Sequence, residues 1–161
     1  PRRGRRKEYK QMSHTYTNLL YHIVFSTKER TPALTNEYTT RLYEYNGGGI
    51  RDEGGRLVCI NGTSDHIHIL AKLRQDKALS DSVRNIKTNS SRWLHNTFPK
   101  LKSFSWQTGY GAFTISESQI DRVHTYIQNQ ESHHHRVTFE EEFKALLDAH
   151  NIQYDPQYMW K

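Results

Sequence analysis

The chain has 161 residues, of which 34% are apolar, with one cysteine and a formal net charge of +6. This length predicts a single domain able to bury a core, and the sequence holds no run of about twenty apolar residues that could span a membrane. The lone Cys59 excludes an intramolecular disulfide framework, and no secretory signal opens the chain, so we expect a cytoplasmic location.

Most of the positive charge lies at the start of the chain. Residues 1–10 carry six basic residues against one glutamate, and the arginines among them are Arg2, Arg3, Arg5 and Arg6. We expect residues 1–13 to form a flexible basic arm that adds nonspecific affinity for phosphates. Met12 could also be the natural start, in which case the arm is an upstream extension.

The first strand and helix follow from apolar patterning. A strand is expected at 18–26. Thr35 can cap a helix that runs to about residue 45, and the glycine triplet 47–49 is expected to end it as a flexible turn. The triplet lacks the Lys-Ser/Thr of a nucleotide loop, so no nucleotide cofactor is expected.

A glycine turn at 53–55 separates two short apolar segments. These segments, 50–52 and 56–61, predict a β-hairpin.

The alternating stretch Asp65-His66-Ile67-His68-Ile69-Leu70 predicts the next strand, which runs to about residue 73. Its two histidines share one face, while the isoleucines point the other way into a core. Two imidazoles side by side on a rigid strand can bind one divalent ion. The alternative is a pair of surface histidines on a half-exposed strand.

An amphipathic helix is expected from Leu79 to about Thr97, where Pro99 stops it. Its polar side carries the basic residues Arg84, Lys87 and Arg92, which either grip DNA or form a solvated face. The glycine-containing segment 104–115 then predicts a strand pair or one bent strand.

The next helix carries a second candidate pair. Ser116 and Gln119 resemble a capping box at its start. Tyr126 and Gln130 are four residues apart and therefore share a helix face. A phenol beside an amide oxygen can supply a nucleophile and a third metal ligand. The alternative is an amphipathic tyrosine at a core boundary, in a chain that has ten tyrosines.

The C-terminal part contains a histidine run, a helix and a tail. Residues 133–135 are all histidines, and we expect them at the surface because adjacent residues at a helix end point in different directions. Apolar residues at helical spacing follow, and the tail 151–161 is apolar enough to dock onto the domain. These residues of the helix are Phe139, Phe143, Leu146 and Leu147.

The element order is β-α-β-β-α-β-α. It predicts an α+β sandwich of the ferredoxin-like or RRM-like class, with an antiparallel central sheet and helices on one face. The histidine strand is then an inner strand, and the helix of Tyr126 packs nearby.

With these motifs together, the chain resembles the IS200/IS605-type single-tyrosine transposases of the HUH endonuclease superfamily, and most of all their REP-associated branch. The segments that carry the resemblance are 18–30, 65–70, Ser90-Ser91-Arg92-Trp93, 106–113, Tyr126-Ile127-Gln128-Asn129-Gln130, 139–143 and 152–155. It covers roughly residues 12–161. It assigns 14–136 to a single-tyrosine transposase domain and 137–161 to a C-terminal helix and docking tail of that domain.

The resemblance implies a metal-dependent endonuclease and strand transferase that cuts single-stranded DNA near hairpins. His66, His68 and Gln130 would bind one Mg²⁺ or Mn²⁺, and Tyr126 would form a covalent 5′-phosphotyrosine intermediate that later rejoins by transesterification. The resemblance leaves a homodimer and a monomer both open.

Substrate contacts are expected away from the metal. The candidates are Lys28, Arg30, Arg84, Lys87, Arg92 and Tyr110, with Trp106 either stacking on a base or buried in the core. Three alternatives stay open: a domesticated, non-catalytic hairpin-binding protein with an RRM-like fold, a replication initiator or relaxase of the same superfamily, and, more distantly, a metal-dependent hydrolase.

Overall fold

The computed structural model of the protein describes residues 16–160, so the predicted arm at 1–13 lies outside the described residues, as does Lys161. The strands are β1 (Leu20–Ser26), β2 (Arg56–Gly62), β3 (His66–Lys72) and β4 (Gly111–Thr114). The helices are α1 (Asn36–Asp52), α2 (Leu79–Thr97), α3 (Ile120–Gln128), α4 (Gln130–His134) and α5 (Phe139–Ala149). The element order from β1 to α3 is the predicted one.

The four strands form one antiparallel sheet in the order β2-β3-β1-β4. This confirms the α+β class and places the histidine strand β3 at the centre of the sheet. In the register between β1 and β3, Ser26 lies opposite His66, and Val24 lies opposite His68. Because paired residues share a face, these four side chains point to the same side of the sheet.

One face of the sheet packs on α1 and α2, as predicted for the helices of this fold. Ile67 and Ile69 of β3 are completely buried there together with Phe25 of β1, in a core that includes Leu42 of α1 and Leu94 of α2.

The histidine face is covered as well. Ile127 of α3 packs on Leu70 of β3, and Phe143 of α5 packs on Val24 and Phe113. The helices that follow β4 therefore add a second layer on the opposite side of the sheet. His66 and His68 are buried beneath this layer rather than exposed on a half-open strand.

Helix α1 runs through the glycine triplet, so the prediction that the triplet ends the helix is wrong. A Cβ atom at Gly47 would lie 3.0 Å from Cδ2 of Leu57, and Ile50 one turn later is buried. Close packing against β2 thus outweighs the low helix propensity of glycine. The predicted strand at 50–52 is the last helical turn, and Gly54, with φ of 80°, makes the turn into β2. The hairpin is instead formed by β2 and β3.

Two further local predictions differ from the structure. Ser116 makes no capping hydrogen bond to the backbone, and a short 3₁₀ turn at Glu117–Gln119 precedes α3. Trp106 forms only an isolated bridge to Thr27, with its ring buried in the core, so the strand pair reduces to β4. Among the described residues, no helix combines the length and apolar character needed to cross a membrane.

Helix α5 approaches the sheet closely at Gly111. This glycine lies opposite Val24 in the pairing of β1 with β4, and a Cβ atom there would lie 2.7 Å from the Phe143 ring. Only a residue without a side chain allows this separation. The spacing matters because Phe143 follows directly on a buried glutamate, Glu142.

Candidate active site

The strand β3 holds the two predicted histidines with their Nε2 atoms turned toward the C-terminal helices. Both side chains are 0% exposed. His66 Nδ1 donates to Asp65 Oδ1 at 2.7 Å, and this carboxylate also accepts from Thr63 at 2.8 Å. A carboxylate on Nδ1 fixes the tautomer of a metal-binding histidine and leaves Nε2 free as a ligand.

The second histidine has an imidazole partner that the sequence reasoning missed. His22 Nε2 lies 2.9 Å from His68 Nδ1, and the two rings stack with centroids 5.1 Å apart. Burial and then the proximity of His68 lower the pKa of His22 to about 3, and burial lowers the pKa of His68 to about 4. Both rings are therefore neutral at pH 7. The alternation of β1 puts His22 on the histidine face, but the pairing register needed to match it with β3 was not evident from the sequence.

Gln130 reaches this pair from a different helix than predicted. The helix of Tyr126 ends at Gln128, and Gln130 is the first residue of α4. The Asn61 side chain donates to the backbone oxygens of Ile127 and Gln128, which satisfies carbonyls at the end of α3. Gln130 is nevertheless completely buried, with Oε1 3.2 Å from His66 Nε2.

Tyr126 lies at the edge of the same cluster. Its ring meets the His68 ring edge-on at a centroid distance of 5.9 Å, and its hydroxyl donates a hydrogen bond to Glu142. Burial, and then the negative charge of Glu142, raise the pKa of Tyr126 above its ordinary value. The structure thus brings all four predicted residues of the site together: His66, His68, Tyr126 and Gln130.

Glu142 was not predicted as part of the site. It lies in the first turn of α5, is 3% exposed, and accepts from the Gln130 amide nitrogen at 2.9 Å. Its other oxygen lies 3.5 Å from His66 Nε2 and 3.4 Å from His68 Nε2. Burial alone would raise the pKa of Glu142, but the His134 hydrogen bond and the nearby His68 and Tyr126 hold it well below the usual range.

One signal in the sequence points to Glu142. It lies three residues after Phe139 and four before Leu146, so it falls on the apolar stripe of α5, where a solvated glutamate is out of place. The capping box of Thr138 and Glu141 fixes where this helix begins.

The histidine run is not uniformly at the surface, so that prediction is wrong for His134. Its Nε2 lies 2.8 Å from Glu142 Oε2 and 3.1 Å from Gln130 Oε1. Burial would lower the pKa of His134, but the hydrogen bond and charge of Glu142 outweigh this and raise it. A helical turn at 130–134 brings residue 134 onto the face of Gln130, four residues before it.

These donors suit a divalent ion. Ligand atoms of His66, His68 and Glu142 lie within 4.8 Å of one another, and neighbouring ligands of a six-coordinate ion are about 3 Å apart. Imidazole nitrogen with amide or carboxylate oxygen is a common ligand set for divalent first-row metals.

The expected DNA contacts fall into two groups. Lys28, Arg92 and Tyr110 are exposed. Arg30 instead pairs with Glu140 at 2.6 Å and lies over the Trp160 ring, and Arg84 pairs with Asp81.

Lys87 is occupied by the protein itself. Its ammonium donates to the backbone oxygens of residues 107, 108 and 109, at 2.6, 3.1 and 2.8 Å. Burial lowers the pKa of Lys87 to about 8. Lys87 therefore holds the loop that leads to Tyr110.

Comparison with known proteins gives consistent matches. A family model described as "Transposase IS200 like" matches residues 15–130. The ISDra2 transposase TnpA of Deinococcus radiodurans is 26% identical over 117 residues, which cover 70% of this chain and 84% of the relative. The transposase for insertion sequence element IS200 of Salmonella typhimurium is 27% identical over 126 residues, covering 75% and 82%.

Two solved structures share the fold. One, from Deinococcus radiodurans and assigned as a transposase, is 27% identical with a TM-score of 0.62, covering 75% of this chain and 97% of that one. The other is a REP-associated tyrosine transposase bound to a REP hairpin, with a TM-score of 0.58. It is 19% identical and covers 79% of this chain and 75% of that one, so it supports the fold alone.

Proposed function

Because this chain belongs to the family of IS200-like transposases, we propose that it cuts and rejoins single-stranded DNA through a covalent link to Tyr126. The observation that carries the proposal is the position of this phenol beside two buried imidazoles. The Tyr126 ring meets both edge-on, with its centroid 5.9 Å from that of His68 and 6.1 Å from that of His22. Tyr126 comes from a separate helix, and its position beside a candidate metal site supports the proposal that it is the nucleophile.

We propose that His66, His68 and Gln130 hold one Mg²⁺ or Mn²⁺. Asp65 and His22 orient the two imidazoles from behind, so both Nε2 atoms face the same space. A divalent ion bound there would polarise the scissile phosphate and offset negative charge in the transition state.

Tyr126 is the nucleophile in this proposal. Its oxygen forms a bond to phosphorus while the bond from phosphorus to the 3′ oxygen breaks. The phenolic proton passes to a base or to solvent, and the departing 3′ oxygen takes up a proton from solvent. The products are a 5′-phosphotyrosine and a free 3′-hydroxyl. Because the covalent link conserves the phosphodiester energy, a 3′-hydroxyl can later attack it and rejoin two strands without ATP.

The proposed substrate is single-stranded DNA that carries a hairpin. A protein of the same fold is bound to a REP hairpin, and exposed Lys28, Arg92 and Tyr110 offer phosphate contacts and a stacking surface. Arg30 and Arg84 would have to exchange an ion pair for a phosphate, and the arginines of residues 1–13 would add nonspecific attraction.

We propose that a cavity beside Tyr126 takes a nucleotide of the substrate. Its volume is about 650 Å³, and Tyr126, His22 and Arg122 are among its lining residues. Arg122 is exposed on α3 one turn before Tyr126, so its guanidinium can meet a phosphate that enters the cavity.

The test is a denaturing gel. Full-length protein is mixed with labelled hairpin DNA from the flanks of its own gene, with Mg²⁺, Mn²⁺ or EDTA. We expect a metal-dependent covalent band that Tyr126→Phe abolishes while leaving DNA affinity near the wild-type value. Tyr16→Phe, which removes an exposed hydroxyl, serves as the matched control.

The outcomes separate the two candidate functions. A covalent band that persists in Tyr126→Phe would show that another group is the nucleophile. Tight binding of flanking hairpins with no adduct under any metal would instead support the non-catalytic hairpin-binding protein.

A further inference from the structure

The buried Glu142 lies outside the part of the chain that matches the family, which ends at residue 130. Its carboxylate nonetheless faces the imidazole pair, with Oε2 3.5 Å from His66 Nε2 and 3.4 Å from His68 Nε2. A charged side chain that is 3% exposed needs compensation, because taking an ion out of water is costly.

Part of that compensation is visible. Oε1 accepts from the Tyr126 hydroxyl and from the Gln130 amide, and Oε2 is 2.8 Å from His134 Nε2. The carboxylate receives no such hydrogen bond from His68. His68 Nε2 is buried and makes no hydrogen bond within the described residues, although a carboxylate oxygen lies 3.4 Å away.

The tautomers explain this gap. Asp65 accepts a hydrogen bond from the protonated Nδ1 of His66, so Nε2 of that ring carries a lone pair. His68 is arranged in the same way when its Nδ1 donates to His22. Two nitrogen lone pairs then face one anionic oxygen, which is unfavourable unless a cation lies between them.

We infer that the Glu142 carboxylate is itself a metal ligand, which joins His66 and His68 in a site of two imidazoles and one carboxylate. The inference rests on the proposed function, which places the ion at these histidines. It adds a ligand from α5, twelve residues beyond Gln130. A carboxylate also lowers the net charge of the loaded site by one relative to a site with neutral ligands only.

The second oxygen of Glu142 gives this ligand a further role. It accepts the hydrogen bond of the Tyr126 hydroxyl, so one side chain holds both the ion and the phenol. Glu142 is in this respect a positioning residue for Tyr126, because a carboxylate bound to the ion keeps the hydroxyl at a fixed place beside it.

The experiment measures metal binding directly, without DNA. Mn²⁺ is titrated into full-length protein, and free Mn²⁺ is followed by its electron paramagnetic resonance signal. The proteins are wild type, Glu142→Gln, His68→Ala and Glu131→Gln. Glu131 is exposed and is next to Gln130 in the sequence. Its substitution therefore makes the same change in charge near the site without replacing a side chain that contacts His66 or His68.

We expect Glu142→Gln to raise the Mn²⁺ dissociation constant by about tenfold or more. His68→Ala should also raise it. Glu131→Gln should keep the wild-type value. An unchanged affinity in Glu142→Gln, with His68→Ala impaired, would overturn the ligand role of Glu142 and leave the proposed function intact. If the wild type binds no Mn²⁺, the metal part of the proposed function fails as well.

A second measurement needs no variant. Crystals of the wild-type protein are soaked in Mn²⁺, and anomalous scattering locates the ion. A Glu142 oxygen within about 2.0–2.6 Å of the ion supports the inference. An ion held by the histidines and Gln130, with Glu142 turned away, would overturn it even if Glu142→Gln failed to fold.

Discussion

Oε1 of Gln130 lies 3.2 Å from Nε2 of His66, although 64 residues separate the two in sequence. The contact exists because α3 and α4 pack on the histidine face of the sheet. The candidate ligands Gln130 and Glu142 thus come from helices that follow β4, and they join the two histidines of β3 only when that second layer is in place.

Replacing either strand histidine should remove metal-dependent cleavage. His66→Ala and His68→Ala each delete a proposed ligand and leave a cavity in a fully buried position. The check is the covalent-adduct gel at several Mn²⁺ concentrations, with folding confirmed by circular dichroism. Cleavage that continues in EDTA would contradict a metal-dependent mechanism.

Replacing His22 should weaken metal binding although His22 is not a proposed ligand. His22→Phe keeps an aromatic ring but leaves His68 Nδ1 without its partner. Loss of such an outer partner typically costs about 10–100-fold in metal affinity. The measurement is the Mn²⁺ titration described above, with the exposed His124 replaced by Phe as the control. Equal affinity in both variants would show that His22 does not orient His68.

Acidification should destabilise the metal-free fold. The pKa values of His22 and His68 fall from 6.5 to about 3 and about 4 on folding. Between about pH 6.5 and pH 4 the unfolded chain therefore binds protons that the folded protein does not, so stability falls as the pH falls. His134, whose pKa is raised, contributes in the opposite sense: its stabilisation is present below pH 6.5 and lost as pH rises.

Urea unfolding in EDTA tests this dependence. We expect the free energy of unfolding to drop by roughly 1–3 kcal/mol from pH 6.5 to pH 5. His22→Phe removes one of the two groups, so its slope should be shallower by up to about 1.4 kcal/mol per pH unit. A slope equal to that of the wild type would show that His22 is not buried in its neutral form.

Lys87→Met should destabilise the fold more than Arg92→Met. Lys87 donates charge-assisted hydrogen bonds to three backbone oxygens at 107–109, of which the one at 107 is part-buried, so its loss should cost about 1–3 kcal/mol. Arg92 is exposed, so its replacement should leave stability nearly unchanged while weakening DNA binding. Chemical denaturation and a DNA-binding titration on both variants distinguish the two roles.

The basic arm should act mainly through charge. Deletion of residues 1–11 removes most of the positive charge of the chain, so DNA affinity should fall most at low salt. The dependence of log K on log salt should become shallower. Binding isotherms at several salt concentrations, compared with a variant in which only Arg2, Arg3, Arg5 and Arg6 become Gln, separate charge from chain length. An unchanged slope would show that the arm does not touch DNA.

The predictable part of the molecule is the part set by local periodicity. The alternation around His66 and His68 correctly predicted the strand, the burial of its isoleucine face and the position of the two imidazoles on one side of the sheet. Helical spacing gave Tyr126 and Gln130 as neighbours, although a helix break at Asn129 lies between them.

The missed features depend on contacts distant in sequence. His22 joins the site through the register of β1 with β3, and Glu142 and His134 join it through the docking of α4 and α5. The continuation of α1 through its glycines likewise needs the packing of Leu57 on Gly47. Among these, only the position of His134, one helical turn after Gln130, could be read from a short window of sequence.

Gly111 has no functional group, yet we expect it to matter for the chemistry of the site. It sets how near Phe143, and with it the neighbouring Glu142, comes to the sheet. A random-mutagenesis screen for inactive variants should therefore return position 111 alongside the histidines. The reason would be distance: one added methyl group wedges the C-terminal helix away from the pocket it closes.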